Sequence, residues 1–139
     1  MHMRGTPESM QRQPAYRDVM DEVSAFLLER GQALESRGVS LDRIVFDPGV
    51  GFGKSIEHNL EMLRRQREFA ALGRPLLVGW SRKSTLGAIT GRDVAQRGSA
   101  SVAAALASLQ SGASIVRVHD VAATVDAMKV WQAAGLLHG

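Results

Sequence analysis

Three short apolar runs, set apart by longer segments of helical period, most constrain what this chain can fold into. Ile44-Val45-Phe46, Leu76-Leu77-Val78 and Ile115-Val116-Arg117-Val118 are apolar throughout except for one arginine. Continuous apolarity, as opposed to strict alternation, marks strands covered on both faces. Residues 17–37 carry Val19, Val23, Phe26, Leu27 and Leu34 at helical spacing, and Gly38 stands where such a helix would end. Gly31 inside it costs about 1 kcal/mol relative to alanine, so it marks either close packing or simple tolerance. A second helix is expected from about Ser55 to Leu72, with Ile56, Leu60, Leu63 and Phe69 on its inward face. A third, rich in small residues, spans about Asp93 to Ser111, and a last one about Val121 to Ala134. Helices alternating with buried strands make one α/β domain over residues 1–139, with parallel strands and crossover helices.

In parallel sheets, open or closed, ligands bind at the carboxyl ends of the strands. Those ends carry Asp47; then Ser81, Arg82 and Lys83; then Arg117, His119 and Asp120. The opening "MHMRG" reads as one more such end. The first strand runs into "DPGVGFGKS", which has the look of a phosphate-binding loop. The P-loop spacing G-x-x-x-x-G-K-[ST] needs glycine at residue 48, which is Pro48. Gly49, Gly51 and Gly53 form G-x-G-x-G, not the dinucleotide fingerprint G-x-G-x-x-G. A missing residue changes how backbone N–H groups wrap an anion, so the segment is no nucleotide cradle.

Composition removes several function classes. A net charge of +3 suits a small anionic ligand, but no dense Lys/Arg tract points to nucleic acid. No run approaches the roughly 18 apolar residues of a membrane span. Zero cysteines exclude disulfides, thiolate metal sites and cysteine nucleophiles, and fit a cytoplasmic protein. His2, His58 and His138 have no metal-ligand spacing, so no metal ligand is assigned in this chain.

Each rim residue also has a plain reading. Asp47 before Pro-Gly could initiate a turn. Arg82-Lys83 could be a solvated pair, although a strand-to-helix junction offers free N–H groups to anions. His119 could hydrogen-bond locally. Arg117 is harder to dismiss, because a permanent charge in an Ile-Val-Val strand needs a polar rim, a carboxylate or a ligand. Ser81 is no nucleophile elbow, since G-x-S-x-G requires glycine where Lys83 stands. What carries weight is that one carboxylate, several cations and a histidine meet on one expected rim.

Taken together, "MHMRGTPESMQ", "FDPGVGFGKSIEHN", "LLVGWSRKS" and "IVRVHDV" resemble dihydropteroate synthase of bacterial folate synthesis, in order and over nearly the whole chain. The resemblance implies a TIM (β/α)8 barrel that joins 6-hydroxymethyl-7,8-dihydropterin pyrophosphate to para-aminobenzoate, with Mg²⁺ assisting and sulfonamides competing for the aminobenzoate site. It implies that Asp47 accepts from the pterin's amino and ring N–H edge, and that Lys83 holds the carbonyl side and borders the aminobenzoate pocket. Phe52 would wall that pocket and Ser84 would hold the aminobenzoate carboxylate. Arg117 and His119 would bind the pyrophosphate, and Met3 and Gly79 would shape the floor. Ser81 and Arg82 join the substrate-binding set, while Lys83, Arg117 and His119 form the catalytic one. The family's dimerisation through its last helices implies a homodimer built from residues 93–111 and 121–134.

Such a barrel has eight strands and about 250 residues. The chain therefore resembles the C-terminal half, from the end of the fifth strand through the eighth helix, with the Mg²⁺-binding asparagine expected outside it. The chain alone is expected to be inactive. A pterin-binding methyltransferase domain would share the barrel but fit SRKS and RVHD less well. A non-catalytic half-barrel is the other alternative.

Overall fold

The computed structural model describes residues 1–5 and 15–137. The segment 6–11 of the first motif and His138 lie outside the described residues. Helix α1 (Val19–Glu35) starts at Asp18, whose carboxylate accepts from the Met20 and Asp21 N–H groups. This satisfies two of the donors that a helix N-terminus leaves open. Its buried stripe is Val19, Met20, Val23, Leu27 and Gly31. Leu34, expected on that stripe, is instead exposed, because the helix runs past the edge of the core before ending.

The expected helix over residues 55–72 is two helices, α2 (Ile56–Arg64) and α3 (Gln66–Ala70), broken at Arg65. Its inward face also differs from the expected one. Asn59, Met62, Gln66 and Phe69 are buried, whereas Ile56 is exposed. Two of the four inward residues are amides, invisible to an apolar pattern, and each satisfies main-chain groups. Gln66 Nε2 donates to Ser108 O at 2.7 Å, and Asn59 Nδ2 to Ser55 O at 2.7 Å.

The first expected strand narrows to a single parallel bridge, Phe46 to Leu76. It is made by Phe46 N–H to Pro75 O at 2.9 Å and Leu77 N–H to Phe46 O at 2.8 Å. Strand β1 (Leu77–Val78) pairs in parallel with β2 (Ile115–Val116), in the register Leu77–Ile115 and Val78–Val116. The Arg117 N–H extends the ladder to Val78 O at 2.9 Å, and the His2 N–H reaches Asp47 O at 2.9 Å. The lateral order is thus the N-terminal segment, the Phe46 strand, β1 and β2, which is chain order.

Between β1 and β2 lie helix α4 (Ser84–Thr90), whose extent the apolar pattern does not disclose, and α5 (Gly98–Gln110). A 3-10 turn at Val94–Gln96 takes the place of the first turn expected for the helix from Asp93. Helix α6 (Val121–Ala133) closes the described chain and packs on α5. The core lies between helices and strands and includes Val23, Phe46, Phe69, Leu76, Val78 and Trp80. The expectation that both strand faces are covered needs correction. Val45 and Ile115 are each 41% exposed, so the face turned away from the helices is open.

Gly31 proves to be a packing site. A Cβ there would lie 3.2 Å from Cζ and 3.3 Å from Cε1 of Phe46. Gly31→Val should lower stability by about 1–3 kcal/mol, the usual cost of overpacking. Urea unfolding reads this directly, and an unchanged midpoint would show that the Phe46 ring moves freely.

Candidate functional site

The carboxyl ends of β1 and β2 meet beside the loop that follows Phe46, whereas Asp47, Asp120 and the N-terminal segment do not line the cavity they form. Phe52, Gly79, Ser81, Arg82, Lys83, Val94, Arg117, Val118 and His119 line one cavity of about 520 Å³. Lys83 Nζ stands 4.0 Å from the Phe52 ring centroid, a cation–π contact that joins the glycine loop to the SRKS segment. The Arg117 guanidinium lies across Gly79, where an added Cβ would be 3.1 Å from Nη2. Any larger residue at position 79 would displace it. Burial is the main influence holding the Lys83 ammonium below its ordinary pKa; Arg117 adds to this and Asp47 opposes it. Among the described residues no carboxylate pairs with Lys83 or Arg117 within 4.0 Å. Two cations thus face the cavity without a counter-ion among the described residues.

The other expected residues divide by environment. Ser81 is buried, and its Oγ meets the His119 main-chain N–H at 3.2 Å and His119 Nδ1 at 2.8 Å. Ser81 therefore orients the imidazole. Arg82 adopts φ 60°, a left-handed conformation unusual for a residue with a side chain. Its Nη2 pairs with Asp120 Oδ1 at 2.9 Å, and its N–H donates to Ser101 Oγ at 3.0 Å. Arg97 Nη1 donates to Arg82 O at 3.0 Å and reaches Lys83 O at 3.4 Å. Together these bonds fix the backbone from which the Lys83 side chain springs. Met3 is half-buried and Ser84, the first residue of α4, is exposed; neither lines the cavity.

Asp47 makes the turn of its plain reading and also carries a charge felt by two lysines. Its Oδ1 accepts the Gly49 N–H at 2.8 Å, which is the turn, while its charge acts on Lys83 and Lys54. The loop that follows depends on glycine at two places. Gly49 has φ +71° with His2 O where a Cβ would sit, and Gly51 has φ +77° with the Lys83 side chain running over it at 3.0 Å.

Sequence reasoning missed the residues beneath this loop. Lys54, read only as the tail of a failed P-loop, is 3% exposed. Its Nζ donates to Gly49 O at 2.9 Å and Phe52 O at 3.1 Å, and stands 2.9 Å from His2 Nδ1. Asn59 Oδ1 accepts the Gly51 N–H at 2.9 Å, and Tyr16 Oη donates to Gly53 O at 2.7 Å. One signal was available, akin to the one that Arg117 gives: a cationic side chain within an apolar, glycine-rich stretch needs dedicated partners.

Burial depresses the Lys54 pKa to about 7, Asp47 opposing and Lys83 assisting. His2 falls to about 4, through burial first and then the charges of Lys54, Arg4 and the N-terminus. Among the described residues no group of three or more His, Asp or Glu could hold a metal ion, and no helix is long and apolar enough to cross a membrane.

Residues 1–119 match the family described as pterin binding enzyme. Over 138 residues the chain is 50% identical to dihydropteroate synthase of Neisseria meningitidis serogroup C, covering 98% of this chain and 49% of that protein. A dihydropteroate synthase structure from Stenotrophomonas maltophilia superposes with a TM-score of 0.94 at 50% identity, over 99% of this chain and 52% of that one. Structures from Thermus thermophilus, in complex with 4-aminobenzoate and with 6HMPPP, superpose at 0.90 and 48% identity. They cover 95% of this chain and 54% and 53% of theirs. These neighbours are TIM barrels, and this chain has the fold of part of one. The chain spans about half the length of the curated relatives it matches.

A prediction follows from His2. Its folded pKa lies below the ordinary 6.5, so between 6.5 and about 4 the unfolded chain binds a proton that the folded chain does not. Stability should therefore fall as pH drops through that window. Urea midpoints measured across it should decline more steeply for the wild type than for His2→Gln; parallel curves would mean His2 titrates normally.

Proposed function

The chain belongs to the pterin-binding enzyme family, and we propose that its rim is the pterin and aminobenzoate side of a dihydropteroate synthase. The observation that carries this reading is the shared cavity. Phe52, Gly79, Lys83, Arg117 and His119 come from three separate motifs yet line one space, in which Lys83 and Arg117 have no carboxylate partner among the described residues. The Thermus thermophilus structures with 4-aminobenzoate and 6HMPPP support the two substrates. By this reading the substrates are 6-hydroxymethyl-7,8-dihydropterin pyrophosphate and para-aminobenzoate, and the products are 7,8-dihydropteroate and pyrophosphate.

The chemistry suits the residues. The C–O bond between the pterin methylene and the pyrophosphate breaks, its electron pair leaving with pyrophosphate. The amine nitrogen of aminobenzoate then forms the new bond to carbon and releases a proton. Arg117 and His119 meet the negative charge that grows on the departing group, and fixed cations are most effective where charge develops. The Oδ2 of Asp47 takes no hydrogen bond among the described residues and is left to accept from the pterin's N–H edge. The Lys83–Phe52 contact forms the border between the two substrates, holding the amine in line. Ser81 and Arg82 act through His119 and the loop backbone, while Met3 and Ser84, also in the set that the resemblance implies, stand outside this cavity. Mg²⁺ would assist the leaving group, but the described residues offer it no ligand set, and no step here depends on one. The absence of cysteine and the basic cavity are consistent with a cytoplasmic enzyme of small anionic metabolites.

The 139-residue chain should bind 6-hydroxymethylpterin without forming dihydropteroate. Calorimetry and a product assay test the two halves of this statement, and turnover by the chain alone would refute the second. In an enzyme of full length, Asp47→Ala should weaken pterin binding. There Arg117→Ala should lower the rate by about 10²–10³-fold, the usual effect of losing such a donor. A change of about twofold or less in rate and affinity would remove Arg117 from the site.

The same reading includes a homodimer through residues 93–111 and 121–134. Val121, Val125 and Val130 of α6 are 59%, 39% and 66% exposed. Beside them, Gly98, Ser99, Val102, Ala103 and Ala123 line a shallow groove between α5 and α6. Apolar surface of this kind is what an interface covers. Light scattering should find a dimer that Val125→Glu disrupts; a monomeric wild type, or a dimer indifferent to that charge, places the interface elsewhere.

A further inference from the structure

Lys54 is a buried cation with no carboxylate partner within ion-pair distance among the described residues. An ammonium carries three N–H donors, and this one meets three acceptors: Gly49 O, Phe52 O and His2 Nδ1. Two of them lie at the two ends of the glycine loop, and the third belongs to the N-terminal segment. The His2 ring packs edge-on against Phe26 of α1, its ring centroid 5.0 Å away. The loop residues held this way are those that matter at the rim. Phe52 carries the ring under Lys83, and Gly49 closes the turn made by Asp47.

We propose that Lys54 is a positioning residue of the cavity, whose three hydrogen bonds tie the N-terminal segment and both ends of the glycine loop into one unit and so set Asp47 and Phe52 against Lys83. The ammonium fills all three bonds as donor; a neutral amine has two N–H groups and a lone pair, and keeps the third contact only if His2 switches tautomer and donates its Nδ1–H. Opposite the ammonium His2 must accept at Nδ1 and therefore stay neutral, in agreement with its depressed pKa. The charged and titratable groups acting on Lys54 are Asp47 and Lys83 from the rim and His2 from the N-terminal segment. Because burial brings the Lys54 pKa to about 7, rising pH through neutrality removes either one of these donated bonds or the present His2 tautomer, and both change how the loop is held to the N-terminal segment. The geometry of the rim is thereby coupled to pH by a residue outside the cavity. Only the ligand arm of the following test rests on the pterin reading.

The 139-residue chain, labelled with ¹³C at the lysine ε carbon and with ¹⁵N, is titrated by NMR from about pH 5.5 to 9, a window spanning the depressed value but not the ordinary one. The Lys54 ε resonance should titrate near 7, and the Gly49, Gly51 and Phe52 amide shifts should follow the same midpoint. In Lys54→Met those amides should lose the transition. Their hydrogen exchange should rise about tenfold while core amides of α1 and α5 hold steady, the signature of local as opposed to global opening. An ε resonance that does not move in this window, loop shifts that ignore its midpoint, or exchange rising equally across the chain would each overturn the proposal. If Lys54→Met does not fold, the wild-type titration alone decides. In the ligand arm, the calorimetric affinity for 6-hydroxymethylpterin should weaken several-fold between about pH 6 and 8.5 as the ammonium deprotonates. A wild type that binds no pterin at any pH refutes the pterin reading and leaves the loop titration to judge Lys54.

Discussion

Everything at the rim depends on a very short stretch of parallel main-chain pairing. Phe46 bonds to Pro75 and Leu77, Ile115 to Leu76, and Arg117 to Val78. Parallel pairing in chain order places every strand's carboxyl end on the same side. With so few paired residues, the ladder cannot be the main source of stability. It acts as a register, and the burial of Phe46, Leu76, Val78 and Trp80 under the helices maintains it. A one-residue slip of any one strand would turn its own rim residue, Asp47, Gly79 or Arg117, to the other face.

Above the ladder, the site is built from loops held by buried and half-buried side chains, most of them bonded to the loop backbone. Lys54, Asn59 and Tyr16 serve the glycine loop, and Arg97, Ser101 and Asp120 serve the segment around Arg82. A loop in left-handed conformations cannot bond to itself as a helix does, so its donors and acceptors need partners from outside. This division of labour leaves Lys83, Arg117 and Phe52 free to face the cavity. It also explains why a half-buried pocket can display two cations: the polar groups around them are already occupied with one another.

The electrostatics of the cavity follow from this arrangement. The Lys83 ammonium is destabilised by burial and by the neighbouring Arg117, with the Asp47 charge as partial compensation. A site in which positive charge exceeds its protein counter-charge favours an anionic ligand, and more so when bound ligand excludes water. No side chain is needed as a nucleophile when the group that departs carries its own charge away. The lining of cations, an oriented imidazole and one aromatic ring is consistent with that chemistry.

The α/β alternation, the carboxyl-end rim and the motifs that carry the family were all legible in the sequence. Apolar periodicity reports burial directly, and the strand ends follow from connectivity. Arg117 was legible too, because a charge inside an apolar strand demands an explanation. Less was legible wherever a polar residue turns inward. Asn59 and Gln66 face the core because main-chain groups await them there, and no hydropathy pattern records where those groups lie. The break at Arg65, the roles of Ser81 and Arg82 as supports, and the burial of Lys54 belong to the same class. Local sequence determines which segments become helix or strand and which chemistry stands at their ends. Hydrogen-bond partners far apart in the chain, such as His2 with Lys54 or Arg97 with Arg82, exist only once the elements have packed. Tertiary structure alone therefore decided which polar side chains face the cavity and which hold it in shape.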